Sequence, residues 1–281
     1  MNTVLKTLRK NEMIYGAWRN VKNFSKKIAR SKYDNYPGLN GRISHNDDMF
    51  DNITHYMSVG NSAIENIENA LKASNKSFDS LKAILDLPSG HGRVLRLLAT
   101  KVSSGKITAC DIDADGIKFC EKEFHCKKIL SNTDISKIRL PEYYSLIWVG
   151  SLFTHLDEEA FSSLLKLLFD SLEPGGILVF TTHGNYSVEI FQRYWESDPR
   201  GIPVSKEQLQ DELVKTNGFY FAPYYNSEGY GISISLKPYV VNLVENLFKG
   251  NAKFVLVNER GWDNHQDVFA IQRASKLQDE T

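Results

Sequence analysis

Three histidines, His155, His183 and His265, lie where the chain leaves apolar runs that read as β-strands, and imidazole is the side chain best suited to take a proton near neutral pH. Ligands of open α/β sheets bind outside the carboxyl ends of the strands, so each is placed to act as general base toward a hydroxyl. His155 follows the fourth such run, His183 the fifth, and His265 sits in the loop between the last two. A second constellation precedes them. Asp86 closes the short run Ala83, Ile84, Leu85, and Gly90 and Gly92 follow, where a missing Cβ lets the backbone turn tightly and approach a ligand. Asp111 ends the next run, nineteen residues beyond Gly92. That is close to the roughly 20-residue spacing that sets an acid against ribose hydroxyls, so the unit predicts a site for a cofactor containing adenosine, with Asp111 on its ribose.

Departures from the dinucleotide pattern narrow the cofactor. G-x-G-x-x-G needs glycine at position 95, which is Leu95, and NAD is thereby disfavoured. A nucleotide-sugar oxidoreductase is weakened further, because no tyrosine is followed four residues later by lysine. The alternative D-x-G-x-G-x-G is met by Asp86, Pro88, Gly90 and Gly92, with Pro88 where the first glycine is usual. Proline cannot take a positive φ, so the first bend must differ from the common loop. With this motif the chain resembles the class I S-adenosylmethionine (SAM) dependent methyltransferases. Further pieces continue the resemblance in order, between about Asp48 and Arg273: Asp134 in SNTDI, the buried-strand run Tyr144 to Gly150, SLFTHL, an amphipathic stretch over 157–172, and LEPGGILVFTT.

The resemblance implies an α/β, Rossmann-like, seven-stranded and mostly parallel sheet flanked by helices, with a helical arm at the amino end and insertions around the active site. It implies S-adenosyl-L-methionine as cofactor. Asp86, Pro88, Gly90 and Gly92 would form the loop along its methionine part, Asp111 and Ile112 would meet the ribose side, and Asp134 the adenine amino group. Ile135 would pack on the ring, and Gly150 would close strand four beside it. His155 would stand nearest the transferred methyl group, with His183 orienting the substrate or the base and His265 secondary. Asp48 to Leu71 reads as loop then helix, and in the family this segment covers the cofactor. Its His55, Tyr56 and Gly60 match H-Y-x-x-x-G, which places Tyr56 near the sulfonium or carboxylate end, with a packing role as the equal alternative.

The elements that must position these groups are legible. Phe161, Leu164, Leu165, Leu168 and Leu172 recur at helical spacing behind the acids Asp157, Glu158 and Glu159, which suit a helix start. A Pro-Gly-Gly stop then precedes strand five. Phe254 to Arg260 and Asp267 to Arg273 form a closing pair that supplies the antiparallel strand. The chain divides into a basic helical arm and linker over 1–40 and a methyltransferase domain over 41–281, with a cover segment over 45–75 and an acceptor-side insertion over 185–250.

Composition sets the outer limits. The chain has 281 residues, 42% of them apolar, enough for one sizeable core, and its formal net charge of zero names no partner. Neither a run of 18 apolar residues nor a secretory hydrophobic region at the start is present, so a cytoplasmic protein is expected. Three cysteines, Cys110, Cys120 and Cys126, lack zinc spacing and read as reduced structural thiols, and no ligand cluster compels a metal. The first 40 residues hold nine bases against two acids. There Ile14, Trp18, Val21, Ser25 and Ile28 share one helical face, suited to packing on the domain or on a second subunit as a homodimer. Peripheral contact with an anionic inner-membrane face or a lipid-linked acceptor is the other reading.

Gly218 to Leu236 contains six aromatics, Phe219, Tyr220, Phe221, Tyr224, Tyr225 and Tyr230. Such a wall offers flat apolar faces with hydroxyl handles, suited to a sugar or another ring acceptor. Tyr224, Tyr230, Trp262 and Asp267 are therefore expected at the acceptor, with phenylalanines 219 and 221 in the core. The N-P-P-Y motif of exocyclic-amine methylation is absent after strand four, and no basic aromatic platform points to nucleic acid. SGHGR, SLFTHLD and GWDNHQD together resemble bacterial methyltransferases that occur among genes for surface polysaccharides, which implies O-methylation of a small-molecule or glycan acceptor. Another small-molecule acceptor, and a non-catalytic SAM-binding regulatory protein, stay open.

Overall fold

The computed structural model describes residues 39–190, 205–224 and 229–275, so the basic arm expected over 1–40 lies almost wholly outside the described residues. The described strands are β1 (Ile84–Leu87), β2 (Ile107–Asp111), β3 (Lys127–Leu130), β4 (Tyr144–Val149), β5 (Leu172–Thr182), β6 (Phe219–Pro223), β7 (Gly231–Ser235), β8 (Ala252–Trp262) and β9 (Gln266–Arg273). The helices are α1 (Ile53–Ala73), α2 (Leu95–Lys101), α3 (Ala114–Phe124), α4 (Glu158–Asp170), α5 (Asn185–Glu189), α6 (Lys206–Lys215) and α7 (Lys237–Phe248).

Seven strands form one sheet in the order β3-β2-β1-β4-β5-β9-β8. β1 to β5 pair in parallel, and β9 runs antiparallel between β5 and β8, as the closing pair predicted. The central strands are apolar almost throughout because both faces of the sheet are covered. Alternation then assigns each residue a side. Ile84, Leu146, Ile177 and Ala270 join the core beneath α1, α2 and α3, whereas Leu85, Ile147, Leu178 and Phe269 join the one beneath α4 and α7. Asp157 caps α4 by accepting the Ala160 N–H at 2.8 Å, and the stripe Phe161, Leu164, Leu165, Leu168 is buried. Each such leucine contributes about 1.5–3 kcal/mol relative to an exposed one.

Three boundaries differ from the sequence reading. The Pro-Gly-Gly segment is no stop, because β5 begins at Leu172 and the register with β4 jumps from Tyr144↔Leu172 to Leu146↔Ile177, so Pro174 sits in a bulge that needs no ladder hydrogen bond from it. The last hairpin is longer than expected, with β8 reaching Trp262. The insertion expected over 185–250 does not all roof the site, since α7 packs Val240, Val244 and Phe248 onto the main core. What remains is a small layer in which α6 buries Leu209 and Leu213 against Ala222, Tyr224, Ile232 and Ile234 of the β6–β7 region. Phe219 and Phe221 lie in or against the main core, as expected. No described helix is long and apolar enough to cross a membrane.

Candidate active site

The cofactor half lies where β1 and β2 end. Gly90 and Gly92 adopt φ of 49° and 81°, left-handed values that a side chain disfavours, and the Leu87–Pro88 bond is cis, so Pro88 makes the first bend without a positive φ. Asp111 fastens this loop: its carboxylate accepts the Gly90 N–H at 2.7 Å and the Asp113 N–H at 2.9 Å. Asp86 is fully buried below, and burial, reinforced by the neighbouring Asp111 charge, pushes its carboxyl up to about 8. Its Oδ2 and the Ser89 Oγ are buried with no hydrogen-bond partner among the described residues. Ile112, by contrast, presents 60% of its surface to solvent beside Asp111.

The expected cover segment closes one side of the loop. Arg96 of α2 is fully buried and donates to the carbonyls of Gly92, Asn40 and Arg42, each at 3.0 Å, which ties the chain just before the cover to the glycine turn. Asn46 reaches Asp115 at 2.8 Å, and His91 lies 3.2 Å from the same carboxylate. Gly60 explains itself here: a Cβ would come within 2.8 Å of Leu97 and 3.0 Å of the Arg93 carbonyl, so α1 could not pack this closely with any other residue. Tyr56 is 1% exposed, and its hydroxyl donates to Asp47 at 2.8 Å while Arg96 lies over its ring. These contacts accord with the packing role offered as the equal alternative for Tyr56, with its hydroxyl on Asp47.

Arg93, which the motif reading passed over, is the missing cation. Its guanidinium lies 5.5 Å above the Trp262 ring and makes no hydrogen bond or ion pair with any described residue. Burial pulls its pKa down, opposed by Tyr56, Asp47, Asp263 and Asp86 around it. Only its position directly after Gly92 could have flagged it. Asp134 is exposed and caps its own turn, accepting from the Ser136 N–H at 3.1 Å and pairing with Lys137 at 2.9 Å, and these contacts hold its carboxyl down to about 2. Ile135 is half-buried against the core. Gly150 closes β4 in a slot between the rings of Trp148 and Trp262, each 3.0 Å from where its Cβ would stand.

The acceptor half gathers all three histidines. Ring centroids of His155 and His183 are 6.4 Å apart, and those of His183 and His265 5.6 Å. The edge of β7 holds the first two. His155 Nδ1 donates to the Gly231 carbonyl at 2.8 Å and His183 Nδ1 to the Ser233 carbonyl at 3.0 Å, so in the neutral form of either ring Nε2 is the nitrogen that carries the lone pair. Ser235 N–H completes the edge by donating to the His183 carbonyl at 2.9 Å. Tyr230 stacks on His155 at 5.1 Å and is 46% exposed, and the Tyr224 hydroxyl lies 3.1 Å from His155 Nδ1. Burial pushes His183 down to about 3, helped by its two histidine neighbours, and burial lowers His265 as well. A network without a sequence signature braces the floor: Thr181 Oγ1 donates to Gln266 at 2.6 Å, and Gln266 Nε2 donates to Ser151 Oγ at 2.9 Å.

Two expected acceptor residues make extensive contacts within the protein. Trp262 is buried, donates its indole N–H to the Val59 carbonyl at 2.9 Å and packs edge-on against Trp148. Asp267 is 2% exposed and its Oδ1 accepts the Arg260 N–H at 2.8 Å. Both therefore hold protein to protein beneath the site. Among the described residues no group of three or more His, Cys, Asp or Glu is arranged to hold a metal ion. The three cysteines are buried and unpaired with one another, and burial raises Cys110 to about 12 and Cys126 to about 11, so they stay thiols.

Residues 84–176 match the family model described as a methyltransferase domain. A malonyl-[acyl-carrier protein] O-methyltransferase of Priestia megaterium is 29% identical over 131 residues, 46% of this chain and 46% of that protein. The chain spans about half the length of the curated relatives it matches. Among solved structures, the plantazolicin methyltransferase BamL, in complex with a triazolic desmethylPZN analog and SAH, aligns with a TM-score of 0.53 at 13% identity, over 78% of this chain and 86% of that one. The plantazolicin methyltransferase BpumL, with a monoazolic analog and SAH, gives 0.50 at 13% identity over 79% and 88%. These two share the fold.

Proposed function

We propose that this chain, whose residues 84–176 are a methyltransferase domain of the class I S-adenosylmethionine-dependent type, is an enzyme that O-methylates a sugar or glycan hydroxyl, with His155 as general base. The observation that carries this reading is the meeting of His155, His183 and His265 with Tyr224 and Tyr230 beside the end of β4. Oxygen as the acceptor atom agrees with the O-methyl transfer named for the curated relatives.

The residues of the cofactor half suit the group. Gly90 leaves open space where a Cβ would stand, Asp111 offers its carboxylate to a ribose, and exposed Ile112 offers a face to an adenine, with Asp134 and Ile135 at the far edge. Arg93 fits the cofactor's carboxylate, and the orphaned Asp86 Oδ2 and Ser89 Oγ fit its amino end. When bound, SAM supplies a methyl group on a sulfonium that leaves without acid assistance.

The protein's remaining work is alignment, exclusion of water and removal of one proton. The Gly231 carbonyl fixes the His155 tautomer, so Nε2 takes the hydroxyl proton while Tyr230 holds the ring plane. His183 stays neutral, so no second imidazolium competes for the charge that forms on His155. An acceptor carboxylate would need no base, whereas a neutral hydroxyl does, and a row of imidazoles and phenols suits the hydroxyl. The basic arm over 1–40 keeps the role its charge suggests, contact with an anionic membrane or lipid-linked acceptor, or docking on the domain or a second subunit.

The test is methyl transfer from radiolabelled SAM to a panel of free sugars, nucleotide sugars and lipid-linked glycans. The expected result is an O-methylated sugar, with a pH limb that requires one deprotonated group and disappears in His155→Ala. Methylation of a nitrogen or carboxylate acceptor, or an unchanged rate in that variant, would overturn the reading.

A further inference from the structure

We infer that the acceptor carries a phosphate group and that Arg260 binds it, at the end of the histidine row away from His155. This rests on the reading of the row as an acceptor basin. The backbone is the first observation. Arg260 has φ 54°, the left-handed region that non-glycine residues avoid, at an irregularity where the β8–β9 register shifts between Asn258 and Trp262. Bulges of this kind re-aim a side chain, and strain that the surroundings hold in place is a signature of functional positions. Here the holder is Asp267. Its buried carboxylate accepts the Arg260 N–H at 2.8 Å and presses so closely on Gly184 that a Cβ there would stand 1.8 Å from Oδ2. A buried acid and a glycine, on two different elements, are thus committed to one exposed arginine.

The side chain is the second observation. The guanidinium carbon lies 3.9 Å from the Tyr186 ring centroid, and Nε donates to the Asn264 carbonyl at 3.2 Å. Stacking on one face and a hydrogen bond at one corner leave the Nη1 and Nη2 edge as a planar fork. Among the described residues no carboxylate lies within 4.0 Å of it. A fixed fork without a counter-charge matches two oxygens of a phosphate, a pairing that lysine's point charge cannot reproduce.

Location is the third. Tyr186 is 5.8 Å from His265, which is 5.6 Å from His183, itself 6.4 Å from His155. The contacts run unbroken from the stacked Tyr230 to the cation, and the members between are imidazoles and a phenol. A hydroxyl offered to His155 and a phosphate held at Arg260 are therefore two parts of one acceptor, separated by its sugar. The phosphate could belong to a sugar phosphate or to a nucleoside diphosphate sugar, and the chemistry at Arg260 is common to both.

Calorimetry on the full chain saturated with S-adenosylhomocysteine tests this with four probes: glucose, glucuronate, glucose 1-phosphate and UDP-glucose. At least one phosphate probe should bind about tenfold or more tightly than glucose and glucuronate, the loss expected of one charge-assisted fork. Arg260→Gln should erase the preference, Arg260→Lys should leave only part of it, and Tyr186→Leu should reduce it. Stronger binding of glucose 1-phosphate assigns a monoester, and of UDP-glucose a diphosphate ester. Equal binding of glucose or glucuronate, no binding of either phosphate probe, or a preference that survives Arg260→Gln overturns the inference. S-adenosylhomocysteine affinity in each variant keeps the two levels apart. If it does not bind at all, the methyltransferase reading fails, and if it binds normally without phosphate preference, only the Arg260 site fails.

Discussion

The cofactor half and the acceptor half of this molecule are built by opposite means. In the first, Asp111 reaches Gly90 across 21 residues, the turn is set by two left-handed glycines, and acids and a base crowd together: the Asp111 charge and Arg93 act on Asp86, whose carboxyl is pushed up to about 8, and Asp47 and Asp263 act on Arg93. In the second, His155 is held from 76 residues away and His183 from 50, both by backbone carbonyls of β7, and burial keeps His183 neutral. Acids and a base suit a zwitterionic cofactor, and imidazoles suit a hydroxyl whose proton must leave. The difference teaches that, on the proposed reading, binding and proton transfer are given to regions built by different means.

The sharpest way to break this comparison is His155→Ala. Loss of the base should lower kcat about 10²- to 10⁴-fold while S-adenosylhomocysteine affinity stays within about twofold, read by radiolabel transfer and calorimetry on the same sample. Arg93→Ala should do the converse. Loss of a charge-assisted contact to the cofactor's carboxylate should weaken S-adenosylhomocysteine about 10- to 100-fold, with the pH limb of the residual activity unmoved.

Acid and base should then separate the halves by stability. Asp86 is raised to about 8 from an ordinary carboxylate value near 4, so its share of stability is complete below about pH 4 and is lost as pH rises through 8. His183 is lowered to about 3 from near 6.5, so its share is complete above 6.5 and is lost as pH falls toward 3. Urea midpoints against pH should lose their alkaline decline in Asp86→Asn and their acid decline in His183→Asn, whose amide can still donate to the Ser233 carbonyl. One variant flattening both limbs would contradict the separation. The smallest effect belongs to Ile112→Ser. Because Ile112 is already exposed, stability should stay within about 0.5 kcal/mol, yet S-adenosylhomocysteine should bind several-fold more weakly through loss of an apolar face.

Legibility followed the same divide. Asp86, Gly90, Gly92 and Asp111 could be read from spacing because a tight turn between two parallel strands leaves few choices of residue. The seven-stranded, mostly parallel sheet and its closing antiparallel pair followed from the resemblance those residues carry. The three histidines were placed at the correct strand ends, but not their tautomers, which depend on an edge strand far along the chain. The protein contacts of Trp262 and Asp267 were not foreseen, because an aromatic and an acid flanking a hairpin turn look the same in sequence whether they face solvent or anchor a bulge. Arg93 escaped because a cation beside a glycine motif has no spacing rule, and the Thr181, Gln266 and Ser151 network because neutral polar residues carry none either. The packing of α7 on the main core was not legible, because an amphipathic helix shows which face it buries but not against what.

The central claim is that the half around Asp111 forms an S-adenosylmethionine site independent of the histidine row. Calorimetric titration of S-adenosylhomocysteine and NAD into the wild type, Asp111→Ala and His155→Ala tests it most directly. The account predicts one S-adenosylhomocysteine per chain in the wild type and in His155→Ala, severe loss in Asp111→Ala, and no competing affinity for NAD. Preference for NAD, no S-adenosylhomocysteine binding, or equal loss in both variants would contradict it.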